Sequence, residues 1–395
     1  MTKLNRIKFR DLVSPLYFLI LLPFLFVHRI MIQLQNRKII LISEDPYEAN
    51  DNGYVFFKFM LDKNDPEFEV YYAISKTTRN RYKIPINNRI DFYSIKHWFY
   101  YFNAEFNLSI HKASSPAPAL FYVLQKYKIF NGKRIFLQHG ITMNNVSYLH
   151  KKECHFKFFV TAARPENKFI MSELGYQREE MLPIGFPRFD ELDSSRKKGS
   201  IIAVMPTWRK YLGNLDEKSF LDSEYYRSWS KLLNNKALSD LLEEHNLQLY
   251  FYLHRNFKKY SCLFTTENSR IITQAEEVID IQTLIQVADL MITDYSSISI
   301  DAAYNETPVI YYQFDENKFY KSHLKMGYFN YRTDGFGPVY ATDLEVLSYL
   351  NKIIKLEFKV ENDYSKRLKD FFFFTDNNNC ERLYKVLKGE YTHEF

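Results

Sequence analysis

The sequence predicts an α/β protein with two doubly wound domains that face each other across a cleft, preceded by a membrane-associating segment. Two series of short apolar runs, separated by helix-like stretches, are typical of parallel sheets that are buried on both faces. The polar stretch 193–200 separates the two series and looks like a linker. With 395 residues, the chain is long enough for two such domains.

The first element is an apolar run at residues 12–27, which basic residues flank on both sides; Lys3, Arg6 and Lys8 precede it. A spanning helix needs about 20 apolar residues, so this run is short, and Pro23 should disturb a continuous helix. No cleavage pattern of a secretory signal follows it. We therefore predict that residues 1–35 form a peripheral anchor in the cytoplasmic leaflet of the cell membrane. A spanning helix and an ordinary buried helix are the alternatives.

The two predicted domains comprise residues 36–192 and 200–395. In the first domain, strands are predicted at residues 38–42, 69–74, 108–110, 134–138 and 156–160. In the second, strands are predicted at residues 201–205, 248–253, 270–273, 289–293 and 309–312, and late helices at 364–374 and 379–387. Ligands of open parallel sheets bind at the carboxyl ends of the strands, so residues just after these runs carry the functional interest.

Composition and missing motifs narrow the function class. The net charge of +6 fits an anionic substrate or membrane surface, but not the dense basic stripe of a nucleic-acid-binding protein. The three cysteines, at 154, 262 and 380, are too far apart to suggest disulfides or a zinc site. The sequence has no dinucleotide fingerprint, P-loop, HExxH or DxD motif. A phosphate-handling enzyme of this kind must rely on hydroxyls, histidine, arginine and helix N-termini.

Two motifs of the first domain carry chemistry-bearing side chains. His139 follows the predicted strand 134–138 and precedes Gly140, which places an imidazole at the carboxyl end of the sheet. Such a histidine can take a proton from an attacking hydroxyl, although a hydrogen-bonded structural histidine is the plainer interpretation. Arg188 ends the segment GFPR and could reach the cleft, or could be an ordinary surface arginine.

The second domain offers three further groups at predicted strand ends. The segment PTWR at residues 206–209 combines a hydroxyl with an arginine, and His254 and Arg255 follow the next strand. In the run of residues 290–301, Ser296 opens a predicted helix, whose free N–H groups favour an anion. Ser297 and Asp301 would share one face of that helix. Each group also has a structural explanation, as a turn, a core histidine or a capped helix.

Together and in this order, these motifs resemble the CDP-glycerol glycerophosphotransferase family of teichoic acid and capsule enzymes. The resemblance rests on QHGIT at 138–142, GFPR at 185–188, PTWR at 206–209, YLH at 252–254 and ADLMITDYSSISID at 288–301. It implies a GT-B-like architecture of two Rossmann-like domains, the first on the acceptor side and the second binding a CDP-polyol.

The resemblance also implies roles for individual residues. His139 would be the catalytic base that activates the acceptor hydroxyl, and His254 would stabilise the donor diphosphate. The implied donor-binding residues are Gln138, Gly140, Ile141, Thr142, Arg188, Pro206, Thr207, Arg209, Tyr252, Arg255, Ser296, Ser297 and Asp301.

The implied reaction transfers a polyol phosphate, most simply glycerol phosphate, from a CDP-activated donor to a hydroxyl of a lipid-linked polymer, and releases CMP. No metal or further cofactor is implied. Gln138 and Tyr252 stand where the family usually has tryptophan and arginine, so ribitol phosphate or another CDP-linked group stays open. Two alternatives remain: a GT-B glycosyltransferase or epimerase that uses a nucleotide sugar, and a non-catalytic membrane scaffold. The sequence does not predict an oligomeric state.

Overall fold

A computed structural model describes residues 9–391, except for 128, 131, 194, 196–198 and 324–326. The chain divides into two compact units. The first unit contains residues up to 141, 146–191 and 376 onward, and the second contains residues 142–145 and 192–375. Half of the predicted linker 193–200 lies outside the described residues, as do Lys3, Arg6 and Lys8.

The first unit is built on a parallel sheet. Among the residues that the structure describes, seven strands pair in the order β3-β2-β1-β4-β5-β6-β7. The strands are β1 Lys38–Ser43, β2 Phe68–Ile74, β3 Arg89–Asp91, β4 Phe106–Ser109, β5 Lys133–Phe136, β6 Phe158–Val160 and β7 Met181–Leu182. The helices are α1 Phe9–Leu34, α2 Asn52–Lys63, α3 Ile95–Asn103, α4 Pro118–Lys126, α5 Lys151–Cys154 and α6 Arg164–Phe169, with α15 Asn379–Lys388 from the end of the chain.

The second unit contains another parallel sheet. Within the described part of the chain, six strands pair in the order β10-β9-β8-β11-β12-β13. The strands are β8 Ile201–Val204, β9 Gln248–Phe251, β10 Ile271–Ile272, β11 Leu290–Thr293, β12 Val309–Tyr312 and β13 Val339–Tyr340. The helices are α7 Glu217–Leu221, α8 Glu224–Leu233, α9 Lys236–Glu244, α10 Ile281–Val287, α11 Ile298–Tyr304, α12 Glu316–Ser322, α13 Asp343–Lys355 and α14 Asn362–Phe371.

Burial explains why these runs form strands rather than surface loops. Every residue of β11 and of β12 is buried, as expected for central strands covered by helices on both faces. In the second unit, Trp229 of α8 packs between the sheet and its helices, with its ring 5.1 Å from Tyr312 of β12. The predicted pair of doubly wound α/β domains is therefore confirmed.

The N-terminal helix α1 differs from the prediction. It continues through both Pro15 and Pro23, although each proline removes one backbone hydrogen bond. The reason is tertiary packing: Phe18, Leu21 and Leu25 are buried in a cluster with residues of α3 and α4. Residues 13–34 of this helix are also long and apolar enough, by length and composition, to cross a membrane. Tertiary contacts thus hold one stripe of a continuous helix against the first unit.

The end of the chain returns to the first unit, whereas the sequence placed residues 200–395 together. Asp190 accepts hydrogen bonds from the backbone N–H groups of Asn379 (2.8 Å) and Cys380 (2.7 Å), which opens α15. Near the end of this helix, the Tyr384 hydroxyl donates to Asp65, 2.6 Å away, and Lys388 lies 3.3 Å from the same carboxylate. Polar pairs between residues far apart in the chain produce no hydrophobic periodicity. The sequence therefore did not indicate that this helix packs against the first unit.

Candidate active site

In the first unit, the loop after β5 presents His139. Gln138, the residue before it, has a left-handed backbone with φ of 60°, which turns the chain sharply after the strand. The buried Gln138 amide donates to the Val160 carbonyl (2.6 Å) and to the Glu166 carboxylate (2.9 Å). Asn52 supports the same turn from α2 by donating to the Gln138 carbonyl (2.9 Å). The exposed His139 therefore stands on a loop that buried amides hold in place.

Four predicted donor-binding residues lie on or next to this turn, and their donor contacts stay predictions. The Gln138 side chain is buried and bonded within the first unit, where it supports the turn. The Ile141 side chain is also buried, with 4% exposure, and packs as an apolar residue. Gly140 is half-buried, and Thr142, which is 8% exposed, already belongs to the second unit.

A second histidine, which the sequence reasoning missed, lies next to His139. His111 follows β4, the neighbour of β5 in the sheet, and the two imidazole centroids are 5.6 Å apart. The position after a strand end was the available signal, but no motif marked it. The carboxyl ends of two adjacent strands thus bring two imidazoles together.

Buried charges surround the loop after β1 in the same unit. Asp51 caps α2 and pairs with Arg188, whose Nη1 atom lies 3.0 Å from the Asp51 carboxylate. Burial raises the pKa of Asp51, while the charges of Arg188 and His111 act in the opposite direction. Burial, together with the charge of Asp51, raises the pKa of Glu44 to about 8. Asp51 and the two histidines thus follow three neighbouring strands, β1, β4 and β5.

Arg188 does not have the place that the sequence suggested. Its side chain is 3% exposed, and its backbone N–H donates to Asn52, 3.1 Å away. The guanidinium also lies over the rings of Phe186 (5.1 Å) and Phe189 (5.3 Å). A buried guanidinium with a carboxylate partner and two aromatic neighbours acts within the first unit. A donor contact of Arg188 stays a prediction.

Arg209 is the centre of the loops at the carboxyl end of the second sheet. Its guanidinium is fully buried and makes a two-point contact with Asp315 (2.8 and 2.9 Å) after β12. It also binds Asp294 (2.9 Å) after β11 and the Thr207 carbonyl (2.7 Å) after β8. Burial alone would lower the pKa of Arg209, but the two carboxylates outweigh burial and raise it. The Arg209 side chain thus joins three loops, and its predicted donor contact stays a prediction.

The Arg209 cluster fixes the backbone around the motif residues. Asp294 accepts hydrogen bonds from the N–H groups of Thr207 (2.8 Å) and Tyr295 (2.6 Å), so it ties the loops after β8 and β11 together. A side-chain hydrogen bond from the Thr207 hydroxyl also acts on Asp294, where it lowers the pKa of the carboxyl against the effect of burial. Pro206, just before Thr207, is buried. The loop after β8 is therefore held by both the backbone and the side chain of Thr207.

Two histidines flank Trp208 in this unit. His254 stacks on the indole with centroids 6.0 Å apart, and His323 meets it edge-on at 4.9 Å. In both rings, Nδ1 accepts a backbone N–H, from Asn256 (3.1 Å) and Lys210 (2.9 Å) respectively. A neutral ring that accepts at Nδ1 carries its proton on Nε2, so each imidazole offers an N–H donor on its other side.

His323 was not predicted, because it follows α12 rather than a strand and belongs to no motif. Burial lowers the pKa of His323 to about 4, and the charges of Arg209 and His254 act in the same direction. His323 is therefore neutral near pH 7. Tyr252 and Arg255 flank His254 as predicted from the sequence; Tyr252 is half-buried and Arg255 is exposed.

The serine run after β11 differs in detail from the prediction. The helix α11 begins at Ile298 instead of Ser296, and the Ser296 hydroxyl accepts the Ile298 N–H at 3.3 Å. Ser297 occupies the N-cap position without a side-chain cap bond, and both serines are half-buried. Asp301 is 5% exposed, which leaves little of its carboxylate accessible. The two hydroxyls therefore remain candidate ligand contacts, whereas Asp301 is mainly a buried residue of α11.

Comparisons with known proteins show which proteins this chain resembles and to which family it belongs. Minor teichoic acid biosynthesis protein GgaB of Bacillus subtilis is 30% identical over 375 residues, which cover 91% of this chain and 41% of GgaB. The chain thus spans less than half the length of this relative. The wall teichoic acid polymerase TagF (H548A) has a similar structure, with a TM-score of 0.67 and 15% identity over 97% of this chain and 98% of that one.

The same fold also occurs in UDP-GlcNAc 2-epimerase from Neisseria meningitidis, with a TM-score of 0.52 and 11% identity over 89% of this chain and all of that one. Likeness at this level shows a GT-B-like architecture and does not distinguish the enzymes that use it. The sequence does distinguish them. The model of the family described as CDP-Glycerol:Poly(glycerophosphate) glycerophosphotransferase matches residues 24–389, so this chain belongs to that family.

Proposed function

We propose that this protein transfers glycerol phosphate from CDP-glycerol to a hydroxyl of a cell-wall polymer and releases CMP. The family match over residues 24–389 carries the proposal. Geometry supports it, because the loops after β8, β9 and β11 of the second unit hold hydroxyl and imidazole donors of the kind that bind a diphosphate.

The donor-binding roles follow from the positions of the side chains after the strands of the second sheet. His254 accepts a backbone N–H at Nδ1, so its neutral ring carries a proton on Nε2 that can be donated to the diphosphate. The hydroxyls of Ser296 and Ser297, and the hydroxyl of Thr207 on the loop after β8, bind phosphate oxygens. His323 offers a second neutral N–H donor on the other side of Trp208. These donors match an anion without any cationic side chain in direct contact.

The chemical step forms a bond between the acceptor oxygen and the β-phosphorus of CDP-glycerol. The bond from that phosphorus to the bridging oxygen breaks, and CMP leaves with the electron pair. His139, the exposed imidazole of the first unit, takes the proton of the acceptor hydroxyl. Fixed N–H and hydroxyl donors stabilise the charge that develops on the phosphate oxygens.

A substrate panel tests the reaction class. Purified protein is incubated with CDP-glycerol, CDP-ribitol or a UDP-sugar and a polymer acceptor, and release of CMP from the CDP-polyols or of UDP from the UDP-sugar is followed. CMP release from CDP-glycerol is expected. Product release from UDP-sugars alone would contradict the proposal in favour of a glycosyltransferase, and no release from any donor would favour a non-catalytic scaffold.

A histidine substitution tests the base. His139→Ala should lower the rate of CMP release by about 10²–10⁴-fold and leave CDP-glycerol binding unchanged, because only proton removal is lost. His245→Ala, at the end of α9 in the second unit, is the matched control and should leave both quantities unchanged. Normal turnover in His139→Ala would refute the base assignment.

We further propose that α1 docks the protein peripherally on the cytoplasmic face of the membrane, near a lipid-linked acceptor. The stripe with Phe18 and Leu25 packs inward, while large apolar side chains cover the rest of the helix. The exposed ones are Val13, Leu16, Leu19, Ile20, Phe24, Phe26, Val27, Ile30, Met31 and Leu34. A helix that packs on the protein through one stripe and exposes apolar side chains elsewhere can lie in the interface plane, with the exposed apolar side chains in the lipid.

The docking test leaves the packed stripe intact. A variant with Leu16, Ile20 and Phe24 replaced by serine should lose flotation with vesicles of anionic lipid while CMP release in solution persists. Leu344→Ser, on an exposed position of the second unit that is 67% accessible, is the control and should still float. Undiminished flotation of the triple variant would contradict docking through α1.

A further inference from the structure

The chain leaves the first unit directly after the loop of His139. Ile141 still belongs to the first unit, whereas residues 142–145 belong to the second, and the chain returns to the first unit at residue 146. Only Gly140 and Ile141 therefore separate the proposed base from a segment of the second unit. The position of His139 depends on what holds this segment in place.

Gly327 of the second unit holds this segment by close backbone approach. A Cβ atom added to Gly327 would overlap the Met143 carbonyl oxygen and would lie 2.8 Å from Asn144 Cα. Glycine lets two backbones approach this closely because it has no Cβ. The φ angle of Gly327 lies outside the left-handed region, so the close approach, and not an unusual backbone conformation, requires glycine here.

The segment that Gly327 contacts is packed. Thr142 is 8% exposed and Met143 is 6% exposed, and Ile141 just before them is also buried. Close-packed residues have few voids into which they can move, so they transmit a displacement to their neighbours. A shift of the Met143 backbone is therefore expected to reach His139 along the chain.

The loop that carries Gly327 is anchored on its other side. Phe329, two residues later, is 3% exposed. Its ring centroid lies 5.1 Å from that of Tyr331 and 5.9 Å from that of Phe371 in α14. Because this aromatic packing resists movement of the loop, a side chain at position 327 would push on residues 142–145.

We propose that Gly327 is a positioning residue for the transfer reaction, which acts on His139 through residues 142–145. This inference rests on the function proposed above, since it needs His139 as the base. Relief of the overlap in Gly327→Ala requires a displacement on the order of 1 Å, and misplacement by that distance can cost about 10²-fold in rate.

A double-mutant cycle of CMP release from CDP-glycerol tests this role. Gly327→Ala should lower kcat at least tenfold, and should have no further effect in the His139→Ala background, because both changes remove the same positioned base. Gly335→Ala is the matched control: its added methyl group would overlap the Tyr331 carbonyl oxygen of the same loop, and not residues 142–145. Gly335→Ala should keep the kcat of wild type even if its melting temperature falls.

The outcomes separate this inference from the proposed reaction. Wild-type kcat in Gly327→Ala, an equal loss in Gly335→Ala, or an additive loss in the double variant would overturn the positioning role alone. Normal turnover in His139→Ala would overturn the base assignment and the positioning role together. If Gly327→Ala does not fold by circular dichroism, Met143→Ala decides, because it loosens the same segment by removing a buried side chain. Met143→Ala should lower kcat without a further effect in the His139→Ala background, and an unchanged kcat or an additive loss would overturn the positioning role.

Discussion

Replacing Arg209 by methionine distinguishes an arginine that holds loops together from one that binds the donor. The guanidinium is 0% exposed and pairs with Asp294 and Asp315, whose side chains are 0% and 1% exposed. Without it, both carboxylates stay buried without their cation, which costs on the order of 3–5 kcal/mol. We therefore expect the unfolding free energy of Arg209→Met to fall by about that amount, because methionine replaces the volume but not the charge.

Urea unfolding followed by tryptophan fluorescence measures this loss. Two of the three tryptophans, Trp208 and Trp229, lie in the second unit, so the signal reports mainly on that unit. Arg255→Met, at an exposed position, is the control and should change the unfolding free energy by no more than about 0.5 kcal/mol. Combining Arg209→Met with Asp315→Asn should cost less than the sum of the two, because both remove the same buried pair.

The outcome that refutes this reasoning is specific. If Arg209→Met unfolds at the same urea concentration as wild type and binds CDP-glycerol at least tenfold more weakly, its guanidinium contacts the donor. The buried position described here would then not be the functional one.

The unfolding free energy of wild type should fall as pH rises from about 4.5 to about 8, because folded Glu44 keeps a proton that it releases in the unfolded chain. The urea midpoint measured at several pH values reports this fall, and Glu44→Gln should flatten the profile. His323→Phe keeps the aromatic contact with Trp208 but removes the N–H donor, so calorimetry should show at least tenfold weaker CDP-glycerol binding; unchanged affinity would exclude His323 from the donor site. Gly185→Ala should lower the melting temperature, because φ of 82° costs a non-glycine residue about 1–2 kcal/mol and its Cβ would lie 1.8 Å from Asn379 Oδ1; a wild-type melting curve would contradict this.

Strand positions were predictable where apolar runs were long. Strand β12 has the predicted bounds, and β1 and β11 differ by one residue at one end. The short edge strands β3 and β7 were missed, because two or three residues carry no periodicity above that of a loop. The central strands of both units, which carry most motif residues, were therefore found. Of the edge strands, β10 was predicted, whereas β3, β7 and β13 were not.

Arginine roles were harder to predict than strand positions. Arg188 and Arg209 follow motifs in the sequence, and an arginine near a predicted phosphate site suggests an anion contact. Whether the anion is a ligand or a buried aspartate depends on residues far away in the chain, Asp51 for one and Asp315 for the other. Sequence separations of 137 and 106 residues lie beyond any local pattern. Long-range ion pairing, rather than the motif, therefore sets these roles.

Backbone hydrogen bonds to the imidazole rings determine which chemical role each histidine can have. His254 and His323 each accept a backbone N–H at Nδ1, so the neutral ring can only donate from Nε2. A histidine fixed in this way suits charge stabilisation and not proton removal. His139 stands exposed on a loop beside His111, a position that suits the proton-accepting role proposed for it. Exchange of the proposed roles would require the backbone donors at Asn256 and Lys210 to move, which is why we propose the base in the first unit and the diphosphate donors in the second.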